Sequence, residues 1–158
     1  MIHPGAPLVI RAARAEECHA LTALAMRSKA HWGYDPAFLE RARADLTVDP
    51  RAVARGDAFV AERAGNVAGF YWLDAAREAP ELMALFVEPP MIGTGVGRAL
   101  LAHALAQAAS RGGRRLIIQS DPFAEGFYLA MGAVRVGSKA SAVDASRMLP
   151  LMEVRIEA

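Results

Sequence analysis

The segment VEPPMIGTGVGRALL, residues 87–101, constrains the architecture of this chain more than any other stretch. It follows an apolar run, ELMALFV, with strand character, which Pro89 and Pro90 stop because proline cannot donate to a sheet ladder. An apolar pattern of helical period then begins at once and runs to about residue 111, where Gly112 and Gly113 end it. In between, Gly93, Gly95 and Gly97 alternate with Thr94 and Val96. Glycine costs about 1 kcal/mol in a helix interior relative to alanine, so three of them at a helix start need a reason. Strand, tight turn and helix must follow one another here without a linker.

The flanking sequence supplies the other elements. Residues 8–14 (LVIRAAR) read as a short strand. Residues 15–32 carry Leu21, Leu24, Ala25 and Ser28 at helical spacing, with Gly33 as terminator. PAFLERARADL, residues 36–46, opens with Pro36 at a first-turn position and reads as a second helix, and Asp49 and Pro50 break the chain. Residues 57–74 read as a hairpin turning at AGN. RRLIIQS (114–120) reads as a strand. DPFAEGFYLAM (121–131) reads as a short helix with Asp121 as N-cap and Pro122 in its first position. AVRVG and LPLMEVRI are two last strands around a loop at residues 138–147. LPLMEVRI could pair within the monomer or across a homodimer. The order implies a mixed sheet with helices on its faces, in one domain spanning residues 1–158.

Composition excludes several classes. A formal net charge of +1 with 22% charged residues gives no support for nonspecific nucleic-acid binding and no sign of disorder. No apolar run is long enough to cross a bilayer, and the N-terminus lacks the pattern of a signal peptide. Cys18 is the one cysteine, so no internal disulfide forms, and a cytoplasmic setting is expected. No His, Cys, Asp and Glu cluster has metal-ligand spacing, so no metal is expected.

The glycines are compatible with two arrangements. One is a tight turn with close helix–sheet packing. The other is an anion held by the unpartnered N–H groups of a helix start. Arg98 favours the second: a cation in a first turn opposes the helix dipole by several tenths of a kcal/mol, and a bound anion reverses that sign. A P-loop is disfavoured because Arg98 and Ala99 stand where lysine and serine or threonine belong. A dinucleotide fingerprint is disfavoured because the segment follows roughly the fourth strand rather than the first.

LFVEPPMIGTGVGRALL resembles the acetyl-CoA motif of the GNAT superfamily of N-acetyltransferases, with Gly95 and Gly97 at the matching glycines. SDPFAEGFYLAMGA resembles the family's later segment, in which Asn or Asp precedes a helix carrying Phe-Tyr and ending at Gly. The likeness covers nearly the whole chain in element order. It implies an α/β (α+β) fold with a mostly antiparallel sheet of about six to seven strands, about four flanking helices and a splayed middle pair. Ile92 departs from the pattern, which usually has Arg or Gln there.

The resemblance implies acetyl-CoA as cosubstrate and an amine acceptor, a small molecule in preference to a protein. Leu85, Phe86 and Val87 would present backbone to the pantetheine arm, with Ile92, Gly93, Thr94, Gly95, Val96, Gly97 and Arg98 at the pyrophosphate. Asp121, Phe123 and Glu125 would also contact the cosubstrate. Tyr128 matches the family tyrosine that protonates the departing thiolate, and tyrosine's ordinary pKa of about 10 suits a donor. Glu81 is the first choice as general base, ahead of Asp74 and Glu62. His31, Trp32 and Tyr34, in the aromatic bend between the first helices, would line the acceptor pocket. Two rivals remain: a CoA-binding sensor with little turnover, motivated by Ile92, and an acetylase of protein N-termini or lysines.

Overall fold

A computed structural model describes residues 5–75 and 79–156. Within them lie seven strands and five α-helices, in the order β1 (Leu8–Ala12), α1 (Cys18–Ala30), α2 (Pro36–Leu46), α3 (Pro50–Ala54), β2 (Ala58–Arg63), β3 (Asn66–Asp74), β4 (Glu81–Val87), α4 (Val96–Ser110), β5 (Arg115–Gln119), α5 (Glu125–Ala130), β6 (Val134–Ala140) and β7 (Met148–Arg155). They build one sheet of order β1-β2-β3-β4-β5-β7-β6. Every pairing is antiparallel except β4 with β5. The mixed, mostly antiparallel sheet expected from the sequence is therefore present.

Alternation along the central strands sends side chains to two separate cores. Phe70 on β3 and Val60 on β2 join Leu21, Leu24, Ala25, Phe38, Ala42 and Leu46 of α1 and α2. Tyr71 and Leu73 turn the other way and join Val96, Leu100, Leu101, Ala104 and Ala108 of α4. The sheet is covered on both faces, so its middle strands are apolar throughout rather than alternating. Each buried leucine of these stripes contributes about 1.5–3 kcal/mol. Among the described residues, no helix is long and apolar enough to cross a membrane.

Three local readings change. Asp49 and Pro50 do not simply break the chain. The Asp49 side chain accepts a hydrogen bond from Arg51 N at 2.9 Å and Pro50 takes the first helical position, so the pair starts α3. The segment after Asp121 is a single 3₁₀ turn, Pro122–Ala124, followed by α5. Strand β6 continues to Ala140 against β7, which leaves only residues 141–147 as loop. Because β7 pairs with β5 on one side and β6 on the other, both of its edges are used inside the chain.

Gly69 on β3 is where the helix above comes closest to the sheet. A Cβ there would lie 2.7 Å from Phe86 O and about 3 Å from Leu100 Cδ1 and Val96 Cγ1. Gly69→Ala is expected to cost about 1–3 kcal/mol, because the β4 backbone and α4 must both retreat. A lower urea midpoint at unchanged m-value is the measurement that checks it.

Candidate active site

Strands β4 and β5 share only two residue pairs, Glu81 with Ile117 and Leu82 with Ile118. Beyond them β5 stays with β7 while β4 stays with β3 as far as Val87 opposite Gly69. Met83 is the extra residue of a β-bulge at the parting point, between the pairs Leu73–Leu82 and Trp72–Ala84. The bulge re-aims the strand: Leu82 and Leu85 both join the α4 core, while Ala84 and Phe86 join the opposite one. From Met83 to Val87 the β4 backbone has β3 on one side and no strand on the other. A cavity of about 650 Å³ occupies the gap. Leu85, Phe86, Val87, Glu81 and Tyr128 all line it.

The glycine turn forms one end of this cavity. Ala99 N donates to Gly95 O at 3.1 Å, the first bond of α4, so the N–H groups of Val96, Gly97 and Arg98 have no partner within the helix. Gly93 and Gly95 have φ of 82° and 92°, a left-handed backbone that side-chain-bearing residues resist. Gly97 is small for another reason: a Cβ there would sit 3.3 Å from the Phe127 ring. The three glycines thus answer to backbone conformation and to α4–α5 packing. Ile92, Gly93, Gly95, Gly97 and Arg98 line the cavity. The Val96 side chain instead faces the core, leaving only its N–H on the turn. Thr94 stands on the far side, held by Arg63, whose two terminal nitrogens donate to Thr94 Oγ1 at 2.9 Å and Thr94 O at 3.0 Å.

Tyr128 is 6% exposed and lines the cavity. Burial, reinforced by the nearby Asp121 charge, raises its pKa, so it remains a protonated donor. Asp121 caps the 3₁₀ turn by accepting from Phe123 N at 2.9 Å, but its carboxylate does more. It receives Lys29 Nζ at 2.9 Å and the Tyr34 hydroxyl at 2.9 Å, and Arg147 lies 3.6 Å away. Burial pushes its pKa up. The Lys29 charge and the hydrogen bonds from Lys29, Phe123 N and Tyr34 outweigh that and hold it below the usual carboxylate range. Burial and the Asp121 carboxylate raise Tyr34 to about 12. Arg147 also donates to the Tyr34 hydroxyl and lies over the Tyr34 ring at 4.7 Å.

The aromatic bend is divided. Trp32 lines the cavity and stacks on Phe123 with centroids 5.6 Å apart and planes 1° from parallel. Tyr34 lies behind the wall, bonded to Asp121 and stacked on Phe38. His31 sits exposed at the end of α1, against the edge of Trp32. Glu125 faces outward to Arg135 at 3.3 Å, away from the cavity lining. Glu62 is paired to Arg11. Lys29, Phe38, Asp45 and Arg147 line the cavity without having been singled out from the sequence. Arg147 falls in a stretch that reads only as a serine- and alanine-rich loop, and no sequence signal singles out Lys29 or Asp45. Among the described residues no three His, Cys, Asp or Glu side chains are placed to hold a metal ion.

Asp121 titrates lower in the folded chain than its ordinary 3.8, so its stabilisation is full above that value and is lost as pH falls below it. Asp121→Asn is expected to lose about 1–3 kcal/mol at neutral pH and to flatten the acid limb of a Tm-against-pH profile. An unchanged profile would show that the cluster does not hold this wall.

The comparisons with known proteins agree with one another. The acetyltransferase (GNAT) domain family matches residues 46–154. A curated relative, mycothiol acetyltransferase of Thermobispora bispora, is 37% identical over 70 residues, covering 40% of this chain and 24% of that protein, so the chain spans about a quarter of its length. The fold superposes on PaiA N-acetyltransferase of Thermoplasma acidophilum in complex with coenzyme A, with TM-score 0.73, 17% identity, and 94% and 99% of the two chains covered. It likewise superposes on yncA of Salmonella typhimurium with its cofactor acetyl-CoA, with TM-score 0.68, 21% identity, and 96% and 95% covered. With a splayed β4–β5 pair, a glycine turn opening α4 and a family match across most of its length, this chain belongs to the GNAT acetyltransferase family.

Proposed function

We propose that the chain is one acetyltransferase domain over residues 1–158, acting in the cytoplasm, that moves an acetyl group from acetyl-CoA to the primary amine of a small molecule. The observation that carries this reading is the unpaired edge of β4, which runs directly into the unpartnered N–H groups of α4 along one wall of a single cavity. Such an edge suits the amides of a pantetheine arm, and the helix start suits a pyrophosphate. Bound acetyl-CoA supplies a thioester carbonyl for direct attack by the amine.

The chain's own groups then divide the work. The Val87 N–H stabilises charge developing on the carbonyl oxygen. The Tyr128 hydroxyl gives its proton to the sulfur as the C–S bond breaks, and its raised pKa keeps it loaded for that step. Glu81, on the cavity wall at the other end of β4, takes the proton that the amine loses, relayed through water along the cavity. Trp32 stacked on Phe123 narrows access to the acceptor side, which favours a small amine over a protein segment. A CoA-binding protein with little turnover is the second reading. It draws on Ile92, an apolar side chain 37% exposed on the cavity where the family pattern has a polar one.

Thiol release from acetyl-CoA across a panel of amines separates the two readings, since only the first gives amine-dependent turnover. Tyr128→Phe is expected to lower kcat by about 100-fold while KM for acetyl-CoA changes little. An unchanged kcat removes the acid role. In the wild-type chain, kcat is expected to hold on the alkaline side to beyond 10.0, the ordinary tyrosine value, because the folded pKa lies above it.

A further inference from the structure

Arg63, the last residue of β2, is only 8% exposed and carries a fixed positive charge. Its terminal nitrogens reach Thr94 and nothing acidic. Among the described residues no carboxylate lies within ion-pair distance of it, and its neighbour Glu62 is taken by Arg11. Its Nε is buried without any hydrogen-bond partner. A buried guanidinium held by neutral oxygens alone is unfavourable unless an anion comes near. Among the described residues nothing else supplies that anion.

What Arg63 holds is the middle of the glycine turn. Thr94 Oγ1 accepts from Arg63 and donates onward to Met91 O at 2.6 Å, so each proton in the chain is accounted for. Thr94 O accepts the second bond. A trans peptide is planar, with its C=O and N–H pointing opposite ways. Fixing Thr94 O on Arg63 therefore aims the Gly95 N–H away from Arg63. Gly93 and Gly95 line the cavity and Thr94 does not, so that direction is the cavity side. The side chain at position 92 cannot share this task, because Ile92 is apolar.

We propose that Arg63 is a positioning residue for the pyrophosphate of CoA: it orients the turn's N–H groups toward the cavity from behind and supplies the buried cation that the bound diphosphate neutralises. This rests on the acetyl-CoA reading above. A merely structural clip would affect every ligand alike, whereas this role concerns only ligands that carry the diphosphate.

The test compares CoA binding by calorimetry, and steady-state KM for acetyl-CoA against S-acetylpantetheine, which lacks the diphosphate, in wild type, Arg63→Met and Arg63→Lys. Arg63→Met is expected to raise the CoA Kd and the acetyl-CoA KM about tenfold with kcat nearly unchanged. Arg63→Lys keeps the charge but loses the fork across Thr94, so it is expected to lie between the two. KM for S-acetylpantetheine stays at the wild-type value in both. If the Met variant does not fold by thermal melt, the Lys variant carries the comparison. Equal weakening of both donors, or no weakening of either, overturns the proposal while leaving the acetyltransferase reading intact. Failure of the wild-type chain to bind CoA overturns both.

Discussion

Two residue pairs join the halves of the sheet. On one side stand β1 to β4, on the other β5, β7 and β6, and only Glu81–Ile117 and Leu82–Ile118 connect them. The Met83 bulge then bends β4 away with β3, and the gap that opens is the cavity. Everything distinctive about the site follows from that parting. A longer β4–β5 pairing would satisfy the β4 edge within the sheet and leave no room between the strands. The shared core beneath, where Tyr71 and Leu73 of one half meet Leu116, Ile118 and Met152 of the other under α4, keeps the halves from separating altogether.

The open side of the splay is closed by charge as well as by the Trp32–Phe123 stack. Lys29 and Tyr34 belong to the α1 region, whereas Asp121 and Arg147 follow β5 and precede β7, so the Asp121 cluster ties the two halves across the gap. One carboxylate serves two cations and a phenol. Its burial works against its ionisation, and its partners reverse that balance. This explains why a residue with an ordinary N-cap signature occupies a structural crossing point: the cap fixes where the carboxylate stands, and the cap's unused lone pairs take up the rest.

The strands and long helices were legible because their signals are local. Leu21, Leu24, Ala25 and Ser28, spaced to share one helix face, are indeed the buried residues of α1. The glycine turn was legible as a turn, but its reasons were not, since Gly97 is small because of Phe127, thirty residues later. The polar contacts of the site were illegible for the same cause. Arg63 meets Thr94 across 31 positions, Lys29 meets Asp121 across 92, and Arg147 meets Tyr34 across 113. No periodicity in a single sequence encodes such pairs. The start of α3 was different, because Asp49–Pro50 carries a local helix-start signal that also reads as a break.

Charge along β4 has a direction, and it fits the order in which the proposed reaction needs its partners. Glu81 opens the strand and Val87 ends it, a separation of about 20 Å for an extended chain. Arg98 and the α4 start lie beyond the Val87 end, while Glu81 and Asp45 line the same cavity. In the middle, Asp121 offsets one of the two cations Lys29 and Arg147, so that stretch stays positive. An elongated anion thus finds its charge matched at the α4 end, with Glu81 on the wall at the other. Fields of this kind, with low-dielectric walls on both sides, sort ligands by sign before any specific contact forms. On the proposed reading, the thioester then lies between the two, where the β4 edge is unpaired and Tyr128 carries its proton.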